Sequence, residues 1–179
     1  SLMKVREFDP KHYLVMATKQ GLIKRTSLDA YKNIRKTGLI AISLAEGDEL
    51  SYVHLTDGEQ QLLVATQNGM AIRFAETDVR PLGRSAMGVK AIRLREGDCI
   101  VGMEIIKEGD SVVTVTDKGQ GRRTLASEYP LQSRHGLGKI NYKVSDVKGQ
   151  VCGIKVVSEK DDLILISTDG VIIRIAVAD

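Results

Sequence analysis

Gly38-Leu39-Ile40-Ala41-Ile42-Ser43-Leu44 returns 50 residues later as Gly88-Val89-Lys90-Ala91-Ile92-Arg93-Leu94, and the register persists in Gly138-Lys139-Ile140-Asn141-Tyr142-Lys143-Val144. A fixed period of this length marks a repeat architecture, and the rest of the chain has to be read against it. A second landmark keeps the same spacing. Leu14 to Gly21, Leu62 to Gly69, Val112 to Gly119 and Leu163 to Gly170 each run apolar residues into a Thr- or Ser-containing turn that closes on glycine, the glycines stepping by 48, 50 and 51 residues. Glu46-Gly47-Asp48 recurs as Glu96-Gly97-Asp98, and Asp146-Val147-Lys148-Gly149 stands in the third place. The 179 residues form one repeat domain with units at 11–60, 61–110 and 111–160, and 161–179 begins a further one.

Within each unit the apolar runs are short, rich in β-branched residues and bounded by Gly, Asn and Asp, which reads as strands joined by tight turns. Asn68-Gly69 and Asp169-Gly170 suit two-residue hairpins whose central positions need positive φ. The stretch Ile34 to Leu44, interrupted by Gly38 and alternating beyond it, reads as strand. Each unit is then about four strands, the size of a propeller blade. The expected fold is all-β with helix content near zero: an array of four-stranded blades repeating about every 50 residues. One blade cannot bury both faces of its sheet, so blades stack side by side. Three and a half of them make a partial, open ring.

Composition agrees. Hydrophobic residues make up 42% of the chain but aromatics only 4%, with no Trp, so the core must come from Ile, Val and Leu. Cys99 and Cys152 lack metal-ligand spacing and read as reduced thiols of a cytoplasmic protein. No apolar run approaches the roughly 20 residues that span a bilayer, and no signal peptide is visible. The opening Ser1-Leu2-Met3 reads as a cloning remnant ahead of a piece of a longer chain.

A net charge of +3 says little about partners; its distribution says more. Residues 19–43 carry six basic side chains against the single acid Asp29, whereas 44–59 carry five acids and no Lys or Arg. The second unit repeats the alternation with Arg73, Arg80, Arg84, Lys90, Arg93 and Arg95, and the third with Lys118, Arg122, Arg123, Arg134, Lys139 and Lys143. Four residues after each turn glycine stands an arginine: Arg25, Arg73, Arg123 and Arg174. Equivalent positions in stacked blades share an edge, so these arginines are expected to form a continuous basic rim. Lys24, Lys32, Arg35, Lys36, Arg80, Arg84, Lys90, Arg122, Arg134 and Lys139 complete the candidate DNA-binding set. A stripe spaced by the blade repeat suits the phosphate backbone of double-stranded DNA, because phosphate contacts give affinity without reading bases.

Catalysis finds no support in the residue pattern. His12, His54 and His135 occupy different places in the repeat, and no nucleophile has a paired base. The tyrosines sit within strands and turns; Tyr31 and Tyr129, just before the basic loops, are candidate anchors for them. No catalytic or metal site is expected.

Met16-Ala17-Thr18, Lys24-Arg25-Thr26, Glu46-Gly47-Asp48-Glu49-Leu50, Arg73-Phe74, the segment from Gly88 to Leu94, and Gly121-Arg122-Arg123-Thr124 with Glu128-Tyr129-Pro130 resemble, over nearly the whole chain, the C-terminal domain of DNA gyrase A. The resemblance implies a β-pinwheel, a propeller-like disc whose blades exchange a strand, with DNA wrapped on its positive outer edge. Its parent would be a type II topoisomerase that introduces negative supercoils using ATP. ATP and Mg would act through other domains, including gyrase B and the catalytic part of gyrase A, so no cofactor is expected in this chain.

The Gln-Arg-Arg-Gly-Gly-Arg-Gly box that separates gyrase from topoisomerase IV is not found. Arg35 to Gly38, Arg84 to Gly88 and Arg134 to Gly138 look like degenerate counterparts. The C-terminal domain of the topoisomerase IV chain that corresponds to gyrase A therefore stays open, as does a propeller-type scaffold whose basic edge meets an acidic protein.

Overall fold

A computed structural model describes residues 3–178, so the reading of Ser1-Leu2 as a cloning remnant lies outside the described residues. The first unit contributes β1 (Tyr13–Thr18), β2 (Leu22–Ser27) and β3 (Leu50–Thr56). The second contributes β4 (Gln61–Thr66), β5 (Met70–Ala75), the short β6 (Val89–Lys90) and β7 (Ile100–Ile106). The third gives β8 (Ser111–Thr116), β9 (Gly121–Leu125), β10 (Lys139–Ile140) and β11 (Val151–Val157), and the last stretch adds β12 (Asp162–Ile166) and β13 (Ile172–Ala176). The helical elements among the described residues are 3-10 turns at Leu28–Tyr31, Glu76–Asp78 and Ala126–Glu128.

The sheets are ordered β3-β1-β2-β6, β10-β5-β4-β7, β11-β8-β9 and β12-β13, with antiparallel pairing throughout. Each complete sheet therefore has three strands of its own unit and a fourth lent by the next. Val89 pairs with Ile23 and Lys90 with Leu22; one unit on, Lys139 pairs with Ala71 and Ile140 with Met70. This exchange is the pinwheel arrangement, and it leaves the array unclosed.

At the opposite edge of each sheet, the third strands of neighbouring units lean on one another. His54 Nε2 lies 2.7 Å from the carbonyl of Met103, Lys155 Nζ lies 2.7 Å from Glu104 Oε1, and a Cβ on Gly102 would meet Ile154 at 2.4 Å. The lent strands β6 and β10 thus lie on the edge away from this convergence.

Packing explains why the units need each other. Along β4, Leu62 and Val64 join Val15, Ala17 and Ile23 of the first unit in one apolar cluster, while Leu63 and Ala65 join Val112, Ala126 and Ile154 of the third in another. The period-2 alternation of a strand supplies two apolar faces, and each is covered by a different neighbour.

Two expectations are corrected. Residues 34–44 form no strand, and Ile34 and Ile40 are exposed. Their counterparts in β6 and β10 become strands because β2 and β5 lie beside them, and residues 39–40 have no such neighbour among the described residues. The hairpin turns are three residues long, not two. In Gln67-Asn68-Gly69 the Gly69 N–H donates to Thr66 O and Gly69, unlike Asn68, takes positive φ (83°), the geometry of a type I turn closed by a left-handed glycine.

Candidate nucleic-acid interface

After their 3-10 turns, the second and third units each cross to the preceding unit. At the first junction Arg84 Nη1 donates to the carbonyl of Ile40 at 2.8 Å, and Ser43 Oγ donates to Ser85 O at 2.6 Å. At the second, Arg134 Nε donates to Asp78 O and its Nη1 to Lys90 O, both at 3.0 Å, while His135 N–H donates to Ala91 O at 2.7 Å. Each crossing loop therefore clasps the loop before it.

Glycine makes these crossings possible. Gly88 and Gly138 have φ of +108° and +74°, and a Cβ on them would stand 2.6 Å from Ile23 O and 2.4 Å from Ala71 O. Tyr31 and Tyr129 anchor the loops: Tyr31 donates its O–H to Ala41 O at 3.2 Å, and Tyr129 donates to Asn141 Oδ1 at 2.6 Å. Burial raises the pKa of both hydroxyls, which keeps them donors at neutral pH.

The overlapping loops present a run of exposed cations. Lys32, Arg35 and Lys36 stand on the first loop, Arg80 and Lys90 on the second, and Lys139 on the third, with half-buried Arg84 and Arg134 at the junctions. An open groove of about 630 Å³ lies between Arg35, Thr37 and Ile40 of the first loop and Arg84 of the second. Lys139 Nζ also donates to Glu128 O at 2.7 Å, which holds its charge against the loop. Arg93, Arg95 and Lys143, which follow the lent strands in sequence, are exposed as well. They were legible as part of the same charge alternation but were not among the candidate residues.

The periodic arginines do not form the expected rim. Arg25 and Arg73 are 6% and 7% exposed, and each reaches into the following unit. Arg25 Nε donates to Val79 O at 2.8 Å, its Nη1 lies 3.5 Å from Glu76 Oε2, and its guanidinium sits 4.5 Å from the ring centroid of Tyr13. Arg73 Nη1 donates to the carbonyls of Ala126 and Tyr129 at 2.8 and 3.2 Å. Arg123 Nη1 likewise donates to Val177 O at 2.9 Å, although its side chain remains 38% exposed. Arg174 is exposed and pairs with Asp162. The repeat thus places a blade-to-blade staple, since a planar fork of donors can satisfy several carbonyls at once.

Lys24 is corrected in the same sense. It has no exposed surface, and its ammonium donates to Ala41 O at 2.5 Å and to Arg84 O. Burial, with Arg84 nearby, lowers its pKa to about 8. Arg122 remains exposed beside Glu128, 3.5 Å away. The residue that sequence reasoning missed is Glu76, a fully buried carboxylate that accepts from Thr56 Oγ1 at 2.6 Å and from the N–H groups of Gly58 and Gln60. No equivalent acid stands at Leu28 or Ala126, so the repeat gave no signal for it.

Among the described residues no group of three or more His, Cys, Asp or Glu side chains is placed to hold a metal ion, and no helix is long and apolar enough to cross a membrane. Cys99 and Cys152 are free, and burial raises both thiol pKa values.

Known proteins share this sequence and shape. The DNA gyrase A of Clostridium acetobutylicum is 49% identical over 179 residues, all of this chain and 22% of the relative's length. The chain spans about a fifth of the length of the curated relatives it matches. A crystal structure of the C-terminal domain of DNA topoisomerase IV superposes with a TM-score of 0.92 at 31% identity, over 98% of this chain and 55% of that one. The structure of a DNA gyrase A C-terminal domain gives 0.83 at 27% identity, over 94% and 56%. The family model described as "DNA gyrase C-terminal domain, beta-propeller" matches residues 12–57, 60–107, 110–157 and 161–179, so the chain belongs to that family.

Proposed function

We propose that the chain binds double-stranded DNA without regard to sequence and bends it along the overlapping basic loops, as the wrapping part of a gyrase acting with gyrase B and the catalytic part of gyrase A. The observation that carries this reading is the interlocked run from Lys32, Arg35 and Lys36 through Arg84 and Lys90 to Arg134 and Lys139, repeated at the blade interval on the edge away from the convergence of the third strands. Cations repeated at the blade interval suit phosphates spaced along a duplex, and phosphate contacts carry no base information. Bending a 20–30 bp site by 40–90° costs on the order of 1–6 kcal/mol, which several phosphate contacts offset.

The test is binding to unrelated duplexes of equal length across a salt series, for the wild type and for a variant with Lys32, Arg35, Lys36, Lys90 and Lys139 all changed to Ala. Similar affinity for all sequences, a steep fall with salt and a strong loss in the variant support the reading. Absent binding, or binding indifferent to those residues, removes it in favour of an acidic protein partner.

The superposition on the topoisomerase IV domain supports a second reading, in which the parent is a topoisomerase IV. Joined to the gyrase catalytic part with gyrase B and ATP, a gyrase-type chain supports negative supercoiling, and a topoisomerase IV-type chain does not.

A further inference from the structure

His135 is the one residue other than glycine with positive φ among the described residues, at 67°. Its conformation has a visible use: the backbone N–H meets Ala91 O at 2.7 Å, as part of the clasp of the third loop on the second. Glycine reaches that conformation without strain and offers the same N–H, so the clasp has no need of an imidazole. The rest of the fold does not use it either. The ring makes no hydrogen bond or ion pair among the described residues, and although His135 is half-buried, neither ring nitrogen is sealed from solvent. Its counterpart at the first junction, Ser85, has no positive φ, and its carbonyl accepts from Ser43 Oγ instead. A side chain kept on strained backbone and left idle by the fold points to a ligand.

The surroundings give the chemistry of that ligand. Arg134, the preceding residue, donates to Lys90 O, and the N–H of Arg93 donates to Gly136 O at 2.8 Å. His135 therefore stands at the overlap of the second and third loops, on a stretch of backbone that carries Lys90, Arg93 and Arg134. Asp78 engages the clasp through its backbone carbonyl, which accepts from Arg134 Nε. The third loop grips the second at Asp78, Lys90 and Ala91, whose counterparts one unit on are Glu128, Ile140 and Asn141, so a further unit would grip there and leave His135 open. We infer that the His135 imidazole contacts DNA, donating a ring N–H to a backbone phosphate at the overlap of the second and third loops. One ring nitrogen of a neutral imidazole carries a proton, and a phosphate oxygen accepts it without any change of charge. The inference rests on the DNA-binding reading above and adds to it a contact that the alternation of Lys and Arg with acids did not mark.

The experiment compares the whole chain with its His135→Gly variant, in thermal unfolding and in binding to unrelated duplexes at one salt concentration. The variant keeps the N–H of the clasp and sheds the left-handed strain, so its melting midpoint stays within about 2 °C of the wild type or rises. Its affinity falls about five- to twentyfold, by the same factor for every duplex, because a hydrogen bond to a charged oxygen is lost and no base is read. His135→Asn tolerates the same φ and keeps a donor N–H on a shorter side chain, and it recovers part of the loss. Unchanged affinity in His135→Gly overturns the assignment. So does a midpoint lowered further than that, which would show the ring serving the fold. If the wild type binds no DNA, the function proposed above falls and this contact with it. If the variant in Lys32, Arg35, Lys36, Lys90 and Lys139 loses affinity and His135→Gly does not, the His135 contact alone falls.

Discussion

Arg73 of the second unit donates through Nη1 to the carbonyl of Ala126 in the third, 2.8 Å away, from a position almost sealed from water. A residue whose spacing marks it for a ligand is here spent on holding two blades together. Changing Arg73 to Ala removes this donor from the Tyr129 carbonyl and the Gln61 amide oxygen and leaves the Ala126 carbonyl with the Tyr129 N–H alone. A loss of about 2–4 kcal/mol is expected, because buried acceptors deprived of a charged partner bear their desolvation cost in full. Arg122→Ala, at an exposed neighbour, should change stability by less than about 0.5 kcal/mol. Urea unfolding of the two variants checks the contrast, and equal losses would contradict the staple.

Lys24 gives a pH signature. Its folded pKa, about 8, lies below the ordinary lysine value of 10.5 because burial disfavours the charge and Arg84 stands nearby. Below pH 8 both folded and unfolded chains carry the proton and the burial penalty is complete. Between pH 8 and 10.5 the unfolded chain holds more protons, so this group's contribution to stability rises with pH, with a slope of at most about 1.4 kcal/mol per unit. The buried tyrosines and the thiols have raised pKa values and act in the opposite direction at alkaline pH. Comparing wild type with Lys24→Met cancels them. The wild type should gain on the variant from pH 8 to pH 10, and a constant difference would mean that Lys24 keeps an ordinary pKa.

The repeat, the strands and the open array were legible because apolar alternation and turn glycines recur at a fixed interval. The candidate cations divided into two groups for a reason that alternation alone hides. A strand with one solvated face shows a polar row, but β2 and β5 are covered on both faces, β2 partly by its own unit's loop at Ala41, so a polar residue there need not be a surface residue. Setting the units side by side gives a mixed clue: the position of Lys24 is held by Ile72 in the second unit, by exposed Arg122 in the third and by Ile173 in the last. Ile72 is buried in the cluster it shares with the first unit, so an apolar residue there belongs to the core. Glu76 had no such clue, since Leu28 and Ala126 hold its place in the neighbouring units although the arginine and the glycine turn beside it recur.

The crossing glycines divide in the same way. Gly138→Ala places a Cβ 2.4 Å from Ala71 O at a positive φ, so backbone must move and a loss of several kcal/mol is expected. Gly38 has the same conformation but open space, and Gly38→Ala should cost about 1–2 kcal/mol from the left-handed conformation alone. Thermal unfolding of both variants separates steric from conformational cost.

Lys90 and Lys139 offer the sharpest test of the basic loops. Each lies on a lent strand with its side chain exposed, and its backbone is already fixed by pairing with β2 or β5, so replacing the side chain leaves the fold intact. If each ammonium meets one phosphate, Lys90→Gln and Lys139→Gln should each reduce the slope of log affinity against log salt by about 0.9, and the double variant by about twice that. The loss should be the same for every duplex sequence, because a phosphate contact carries no base information. Lys139 is also held by Glu128 O, so its variant has a second effect on loop order, whereas Lys90 has no side-chain hydrogen bond of this kind among the described residues. A slope unchanged in Lys90→Gln would move the DNA path off the lent strands and onto the loop tips around Lys32, Arg35 and Lys36.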